Sequence, residues 1–288
     1  MQIANCKLQI ANHTVVAVDR RRSGACCRRR RCRRSPAARG REEGGSAGLP
    51  SAQILEEVLP DGSLSEVWGE FPETAPCGLC FTSGTTGAPK GVTYTHRGNF
   101  LHTLRQLQAD VAGITSHDVV MPVVPMFHAN AWGIPFSAPA TGAKLVFPGR
   151  HSDGESLARL IAEEGVTIAI GVPTVWLGLM DYLDSSGLEL PSLKRIMVGG
   201  APMHPALMKR IEERGIWVQT SWGMTELSPL GTAAPLGDAR SPESAGRPAL
   251  GLDLMVTDHA GEPLKEQRGH EGHLWVRGSS VVSRYFGQ

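Results

Sequence analysis

From about residue 75 onward, short apolar segments alternate with segments of helical periodicity. The apolar segments predict strands at Val119–Val124, Lys144–Phe147, Val166–Ile170, Leu193–Val198 and Ile216–Thr220. The intervening segments predict helices at Glu155–Glu164, Pro173–Leu183 and Pro205–Arg214, the last two with proline in the first turn. Alternation at this spacing predicts an α/β fold with doubly wound, mostly parallel sheets and helices on both faces.

The helical pattern stops after Pro248, and two further apolar segments predict strands at Asp253–Thr257 and His273–Arg277. We therefore predict an α/β core over residues 51–248 and the start of a smaller β subdomain over residues 249–288. No segment approaches the run of about 18 apolar residues that a membrane-spanning helix needs, so none is predicted.

Residues 1–50 differ sharply in composition. Residues 1–41 hold Lys7 and eleven arginines against the single acid Asp19, a net charge of +11, which leaves −10 for the remainder of a chain whose total is +1. Such a block repels itself and is expected to be disordered or non-native. A basic tail for nucleic acid or membrane, an organelle transit peptide and a wrongly assigned start all remain open. We favour the wrongly assigned start and assign the segment no function. The acidic remainder argues against a nucleic-acid partner.

Cysteine is sparse in the rest of the chain: outside the basic head, only Cys77 and Cys80 occur. This usage indicates a reducing compartment, and we expect a cytoplasmic protein. The Cys77–Cys80 spacing fits half of a zinc site or a redox pair, but no second pair at ligand spacing follows. Because Gly78, Leu79 and Phe81 predict a buried strand here, we interpret both cysteines as small core residues.

The most informative segment is the loop Phe81–Gly91, with the sequence FTSGTTGAPKG. Gly84 and Gly87 let the backbone approach a bulky anion, four hydroxyls can donate hydrogen bonds, and Lys90 supplies positive charge. The spacing of a P-loop is absent, and Val92–Thr95 continues as a strand rather than a helix. The segment is therefore predicted to be a phosphate-binding loop between two strands.

This loop resembles the signature of the AMP-forming synthetases, which include acyl-CoA synthetases, luciferases and peptide-synthetase adenylation domains. Later segments resemble further motifs of that family in the same order: Val124–Gly133 its gate and acyl pocket, Val198–Met203 its adenine-side loop, Gln219–Glu226 its adenine and magnesium motif, and Gly272–Tyr285 the strand pair before its ribose motif. The resemblance covers residues 75–288.

The resemblance implies that a carboxylic acid reacts with ATP to give an acyl-AMP and pyrophosphate, and that the acyl group then passes to coenzyme A. It implies that the β- and γ-phosphates are bound by Thr82, Ser83, Gly84, Thr85, Thr86, Gly87 and Lys90. It places the nucleotide's adenine side against Gly200, Ala201, Pro202, Ser221, Trp222, Gly223 and Met224.

The same resemblance implies that Thr225 hydrogen-bonds the α-phosphate and that Glu226 binds Mg²⁺, a cation that prefers carboxylate and phosphate oxygens. It places His128 beside the reacting carboxylate, as a gate or orienting donor. His128, Thr225, Glu226 and Lys90 are the predicted catalytic residues.

The stretch His128–Trp132 contains no acid, whereas amino-acid-activating relatives carry an aspartate near it. Since an uncompensated ammonium group in an apolar pocket is costly, we expect an uncharged acyl tail. Met121–Trp132 and Gly171–Trp176 most resemble fatty-acid and methylmercaptopropionate CoA ligases. The predicted substrates are a medium- or long-chain fatty or related acid, ATP with Mg²⁺, and coenzyme A. The alternatives are activation of an amino or aryl acid, and a non-enzymatic pseudogene product.

The resemblance also identifies what the 288 residues do not contain. Three parts have no counterpart: the family's usual N-terminal subdomain, its ribose-binding Tyr/Phe-x-Thr-Gly-Asp motif, and its C-terminal lid domain with the catalytic lysine. We therefore expect a partial N-terminal domain with little or no ligase activity by itself. A homodimer is left open.

Overall fold

The computed structural model describes residues 70–83, 89–237 and 241–287, and the backbone of Lys7–Gln9; the side chain of Ser83 lies outside this description. Three strands form a small sheet in the order β1 (Lys7–Gln9), β2 (Pro76–Ser83) and β3 (Lys90–Thr95). Strands β2 and β3 are antiparallel and flank the predicted phosphate loop. The predicted basic head, residues 1–50, falls outside the described residues except for β1.

Seven strands form the central sheet. They are β4 (Val119–Pro122), β5 (Lys144–Leu145), β6 (Ile168–Gly171), β7 (Arg195–Val198), β8 (Trp217–Gly223), β9 (Leu230–Ala233) and β10 (Arg247–Pro248). Their order is β10-β9-β8-β7-β6-β4-β5. The five strands β4 to β8 are mutually parallel. Strand β9 pairs antiparallel with β8, and β10 pairs antiparallel with β9.

Five helices accompany the sheets in the described part of the chain. They are α1 (His96–Gln106), α2 (Ile134–Thr141), α3 (Gly154–Glu164), α4 (Pro173–Ser186) and α5 (Pro205–Glu212). Their ends follow local chemistry: the Asp153 side chain accepts from Ser156 N at 2.9 Å to begin α3. Gly187, with φ of +69°, ends α4 in the left-handed conformation that glycine adopts without strain.

Helices cover both faces of the parallel part. On one face, Leu157, Trp176 and Ile211 of α3, α4 and α5 pack in one buried apolar cluster with residues of β4, β6, β7 and β8. On the other face, Ile134 and Ala138 of α2 pack with residues of β4, β6 and β7. The predicted α/β class with helices on both faces is confirmed, and the sheet is mixed rather than parallel throughout.

The last two described strands, β11 (Leu252–Thr257) and β12 (His273–Gly278), form a separate antiparallel pair. Strand β8 runs three residues past its predicted end, because Ser221 and Trp222 pair with β9, which the sequence pattern did not single out. The interpretation of the two cysteines holds only in part. Cys80 is buried, but Cys77 is exposed, since the outer part of β2 faces solvent.

Among the described residues, no helix combines the length and hydrophobicity needed to cross a lipid bilayer.

Candidate nucleotide-binding site

Most predicted site residues lie where parallel strands of the central sheet end. His128 follows β4, Gly200 to Pro202 follow β7, and Ser221 to Glu226 lie at the end of β8 or just beyond it. Open α/β sheets bind ligands beyond the carboxyl ends of their strands. The fold therefore brings motifs that are about 100 residues apart in the sequence to the same edge of the central sheet.

The β2–β3 hairpin carries the two ends of the phosphate loop. Thr82 pairs with Lys90 across the hairpin, so both loop ends are fixed by strand register. The Thr82 side chain is fully buried, and its Oγ1 has no hydrogen-bond partner within the described part of the chain. A buried hydroxyl without a partner costs free energy, so this position suits a ligand oxygen. Residues 84–88, which include Gly84, Thr85, Thr86 and Gly87, lie outside the described residues.

Lys90 and Glu226 both contact Tyr285. The Lys90 Nζ lies 5.0 Å from the centroid of the tyrosine ring, a cation–π distance. The hydroxyl of Tyr285 donates to Glu226 Oε1 at 2.8 Å. Glu226 is only 4% exposed, while Lys90 is exposed. The structure thus brings the predicted phosphate-binding lysine and the predicted metal-binding acid to one side chain.

Thr225 and Glu226 begin a short 3-10 turn, Thr225–Leu227, just after β8. Tyr94 of β3 supports this turn, because its hydroxyl donates to the Thr225 carbonyl at 2.9 Å. Burial, with smaller contributions from Cys80 and Glu226, raises the pKa of Tyr94 well above its usual value. The phenol therefore stays a neutral donor and ties the turn to the phosphate hairpin.

The turn after His128 joins the acyl-pocket motif to the adenine-side loop. Ala129–Trp132 adopts positive φ throughout, between 46° and 56°, so it is a left-handed turn and not part of a regular helix. A Cβ added to Gly199 would lie 3.1 Å from Trp132 Cη2 and 3.0 Å from Ser221 Oγ. The indole of Trp132 and the Ser221 hydroxyl therefore both lie against the Gly199 backbone, where only glycine leaves room.

His128 is half-buried, and burial lowers its pKa. It is therefore neutral near pH 7, a state in which one ring nitrogen donates and the other accepts.

Gly200, Ala201 and Pro202 are exposed in the loop after β7, as their predicted role at a ligand surface requires. Gly200 has φ of +77°, which explains glycine at the start of that loop.

Trp222 has one packed side. A Cβ added to Gly231 of the neighbouring strand would lie 2.5 Å from Trp222 Cε3, so the indole occupies that space. It also packs against the apolar cluster of Leu227, Leu252 and Val276. Stacking of this ring on adenine remains a prediction, and Gly223 and Met224 follow it at exposed and half-buried positions.

Helix α1 supports the site from behind with two buried polar residues. His102 Nε2 accepts from the Leu230 amide at 3.1 Å. Arg105, 2% exposed, donates to Leu250 O at 2.9 Å and to Ser280 Oγ at 2.7 Å. The His102 contact therefore joins α1 to β9, and the Arg105 contacts join it to the segments after β10 and β12.

The sequence predicted no role for Tyr94, Trp132 or Tyr285, although Trp132 and Tyr285 lie in motifs that resemble the family's and Tyr94 lies in the strand after the phosphate loop. Their importance depends on contacts between distant segments, such as the 131 residues between Tyr94 and Thr225. The sequence could have indicated them only by position. Tyr94 and Trp132 each lie within five residues of a predicted site residue, and Tyr285 lies at the end of a matched motif.

Together, the mixed α/β sheet, the hairpin with a lysine and a buried hydroxyl, and the acidic turn define a nucleotide-binding domain of the adenylate-forming class. The chain belongs to the AMP-binding enzyme family, whose sequence profile matches residues 27–286.

Curated relatives are CoA ligases. The chain is 42% identical over 249 residues to the 3-methylmercaptopropionyl-CoA ligase of Ruegeria lacuscaerulensis, a match covering 83% of the chain and 46% of the relative. It is 42% identical over 252 residues to the medium-chain-fatty-acid–CoA ligase of Ectopseudomonas oleovorans, covering 84% and 46%. The chain thus spans about half the length of the curated relatives it matches.

The fold is also similar to a solved structure of the O-succinylbenzoate coenzyme A synthetase of Bacillus subtilis, in complex with ATP and a magnesium ion. The TM-score is 0.66 at 26% identity, and the match covers 77% of this chain and 45% of that one.

Proposed function

We propose that this chain carries the ATP-binding part of an acyl-CoA ligase, which converts a fatty or related carboxylic acid to an acyl-AMP and then to an acyl-CoA. The observation that carries the proposal is the meeting of Lys90 and Glu226 at Tyr285. Thr82, the strand partner of Lys90, adds a buried hydroxyl that has no hydrogen-bond partner among the described residues. A cation and an acid that meet at one side chain, with a hydroxyl on the strand next to the cation, suit a triphosphate with its metal ion. The relatives named as CoA ligases support the same reaction.

In the proposed first step, a carboxylate oxygen attacks the α-phosphorus of ATP, the bond to the bridging oxygen of the β-phosphate breaks, and pyrophosphate leaves. Lys90 and the hydroxyls of Thr82, Ser83, Thr85 and Thr86 bind the β- and γ-phosphates and stabilise the leaving charge. Gly84 and Gly87 let the loop backbone approach these oxygens.

Thr225 donates to the α-phosphate, and Glu226 binds Mg²⁺, which when bound neutralises phosphate charge. The fit is chemically sound, because Mg²⁺ commonly takes one or two protein carboxylates and completes its shell with phosphate oxygens and water. The neutral ring of His128 orients the attacking carboxylate. The loop at Gly200 and the segment Ser221–Met224 enclose the adenine.

We propose an uncharged acyl tail for the acid. The turn beside the proposed carboxylate position is His128-Ala129-Asn130-Ala131-Trp132, with no acid to pair with a substrate ammonium. Two relatives are named for a fatty acid and for methylmercaptopropionate, both of which have uncharged tails. We also propose that the protein lies in the cytoplasm. A homodimer is the proposed assembly, and sedimentation of the purified chain would test that assembly.

Nucleotide binding by the 288-residue chain tests the site. We expect ATP to bind more tightly with Mg²⁺ than without it, and the variants Lys90→Met and Glu226→Gln to lose about tenfold or more of that affinity, as expected for charge-assisted contacts. The matched controls are Lys209→Met and Glu213→Gln, two exposed charges of α5 and its end. Equal affinities of the site variants and the controls for ATP in isothermal titration calorimetry would contradict the proposal.

Acid preference can be tested without turnover by comparing stable acyl-adenylate mimics. An octanoyl-sulfamoyl adenosine should bind more tightly than the alanyl analogue, because the stretch His128–Trp132 contains no acid to pair with an ammonium group. Tighter binding of the alanyl analogue would instead favour an amino-acid-activating enzyme.

A further inference from the structure

A short segment, residues 280–286, crosses from the Glu226 turn to the phosphate hairpin, and we call it the bridging segment. At its start, Ser280 Oγ donates to Leu227 O at 3.2 Å, and Val282 N donates to Glu226 O at 2.9 Å. At its end, Phe286 N donates to Gly91 O at 2.7 Å, and Tyr285 forms a bridge with Val92. Its backbone is therefore bonded to both parts of the proposed site.

Tyr285 adds side-chain contacts in the same two directions. Its hydroxyl donates to Glu226 Oε1 at 2.8 Å, and its ring face lies under Lys90 Nζ at 5.0 Å. The backbone contacts fix where the ring lies, and the ring in turn contacts both charged groups.

The intervening ring has an electrostatic consequence. A lysine beside a buried carboxylate ordinarily forms an ion pair, and such a pair would occupy both groups before ATP and the metal arrive. A cation–π contact at a partly exposed site is much weaker than a buried ion pair, so the lysine is released at low cost. The hydroxyl meanwhile fixes the orientation of the Glu226 carboxylate.

We propose that Tyr285 is a positioning residue, which holds Glu226 oriented and keeps Lys90 apart from it until a nucleotide triphosphate and its metal bind. This inference rests on the function proposed above. It concerns a residue that acts through Lys90 and Glu226 and does not itself touch the substrate.

Two substitutions separate the two contacts. Tyr285→Phe keeps the ring under Lys90 and removes only the hydroxyl that donates to Glu226, whereas Tyr285→Leu removes both. Tyr182→Phe, at a half-buried tyrosine of α4, serves as the matched control. Each protein is titrated with ATP and with AMP, with and without Mg²⁺.

We expect Tyr285→Phe to reduce the gain in ATP affinity caused by Mg²⁺ by about tenfold or more, the usual effect of losing a hydrogen bond to a charged group. In the same variant, metal-free AMP affinity should stay within about twofold of wild type, because without the metal Glu226 makes no proposed contact to the nucleotide. Tyr285→Leu should weaken metal-free ATP binding as well, since Lys90 can then pair with Glu226. An unchanged magnesium effect in Tyr285→Phe, or equal losses for AMP and ATP, would overturn the proposal.

A second measurement needs no nucleotide. Urea unfolding of the wild type, Tyr285→Phe, Glu226→Gln and the double variant gives the coupling between the two side chains. Coupling supports the contact between Tyr285 and Glu226, and strict additivity overturns it even if wild-type ATP binding is normal. Coupling in a wild-type chain that shows no magnesium-dependent ATP binding would overturn the proposed function, and with it the role of Tyr285 in nucleotide binding.

Discussion

The buried imidazole of His102 makes the stability of this domain depend on pH. Its ring is 1% exposed, and Nε2 accepts a hydrogen bond from the Leu230 amide, which only the neutral ring can do. Burial, with the nearby charge of Arg105, lowers the pKa of His102 from 6.5 to about 3. The unfolded chain therefore binds a proton at this residue at much higher pH than the native protein does.

The sign and size of the effect follow from this difference. Between pH 6.5 and about 3 the unfolded state holds more protons at His102 than the native state, so the free energy of unfolding falls as pH decreases. The limiting slope is about 1.4 kcal/mol per pH unit. From pH 7 to pH 5 the loss is about 2 kcal/mol, and it is set by the unfolded pKa alone because pH 5 is still above the native value.

Urea unfolding followed by circular dichroism at pH 7 and pH 5 measures this loss. In His102→Gln the amide oxygen can still accept from Leu230 but cannot titrate, so the variant should lose about 2 kcal/mol less than wild type over this interval. His259→Gln, at an exposed histidine, should keep the wild-type dependence. Parallel losses in wild type and His102→Gln would refute the reasoning.

Four further substitutions test local packing by urea unfolding. Gly133→Ala should destabilise the domain by more than Gly187→Ala. Both glycines have positive φ, which strains alanine by about 1–2 kcal/mol. Only at Gly133 would the new Cβ also meet the His102 ring, at 2.7 Å. Arg105→Lys should cost about 2 kcal/mol, because one ammonium group cannot replace the guanidinium bonds to Leu250 O, Leu230 O and Ser280 Oγ. Gly178→Ala in α4 should stabilise by about 0.5–1 kcal/mol, because a Cβ there meets nothing within 4 Å.

Each expectation has a clear contrary outcome. Equal losses at the two left-handed glycines would show that the His102 ring moves aside freely. A neutral Arg105→Lys would show that water replaces the guanidinium contacts, and a destabilising Gly178→Ala would show that α4 has no room at that position.

Much of the fold was predictable because its causes are local. The α3 and α4 ends were predicted to within about three residues, since Asp153, Pro173 and Gly187 act within one turn of the chain. The parallel strands were predictable from short apolar runs, which a strand buried on both faces requires. The antiparallel strands β9 and β10 were not predicted, because no comparable apolar run marks them and their pairing with β8 depends on the rest of the sheet.

The sequence by itself determined which groups could handle a triphosphate: the hydroxyls, glycines and lysine of Phe81–Gly91, and the acid at Glu226. Those are properties of residue type and order. Only the tertiary structure decided that Tyr285 lies between Lys90 and Glu226, that Trp132 packs on Gly199, and that Cys77 faces solvent. The Tyr285–Glu226 contact joins residues 59 positions apart, and no local pattern specifies it, because the approach of two such segments is set by the packing of the elements between them.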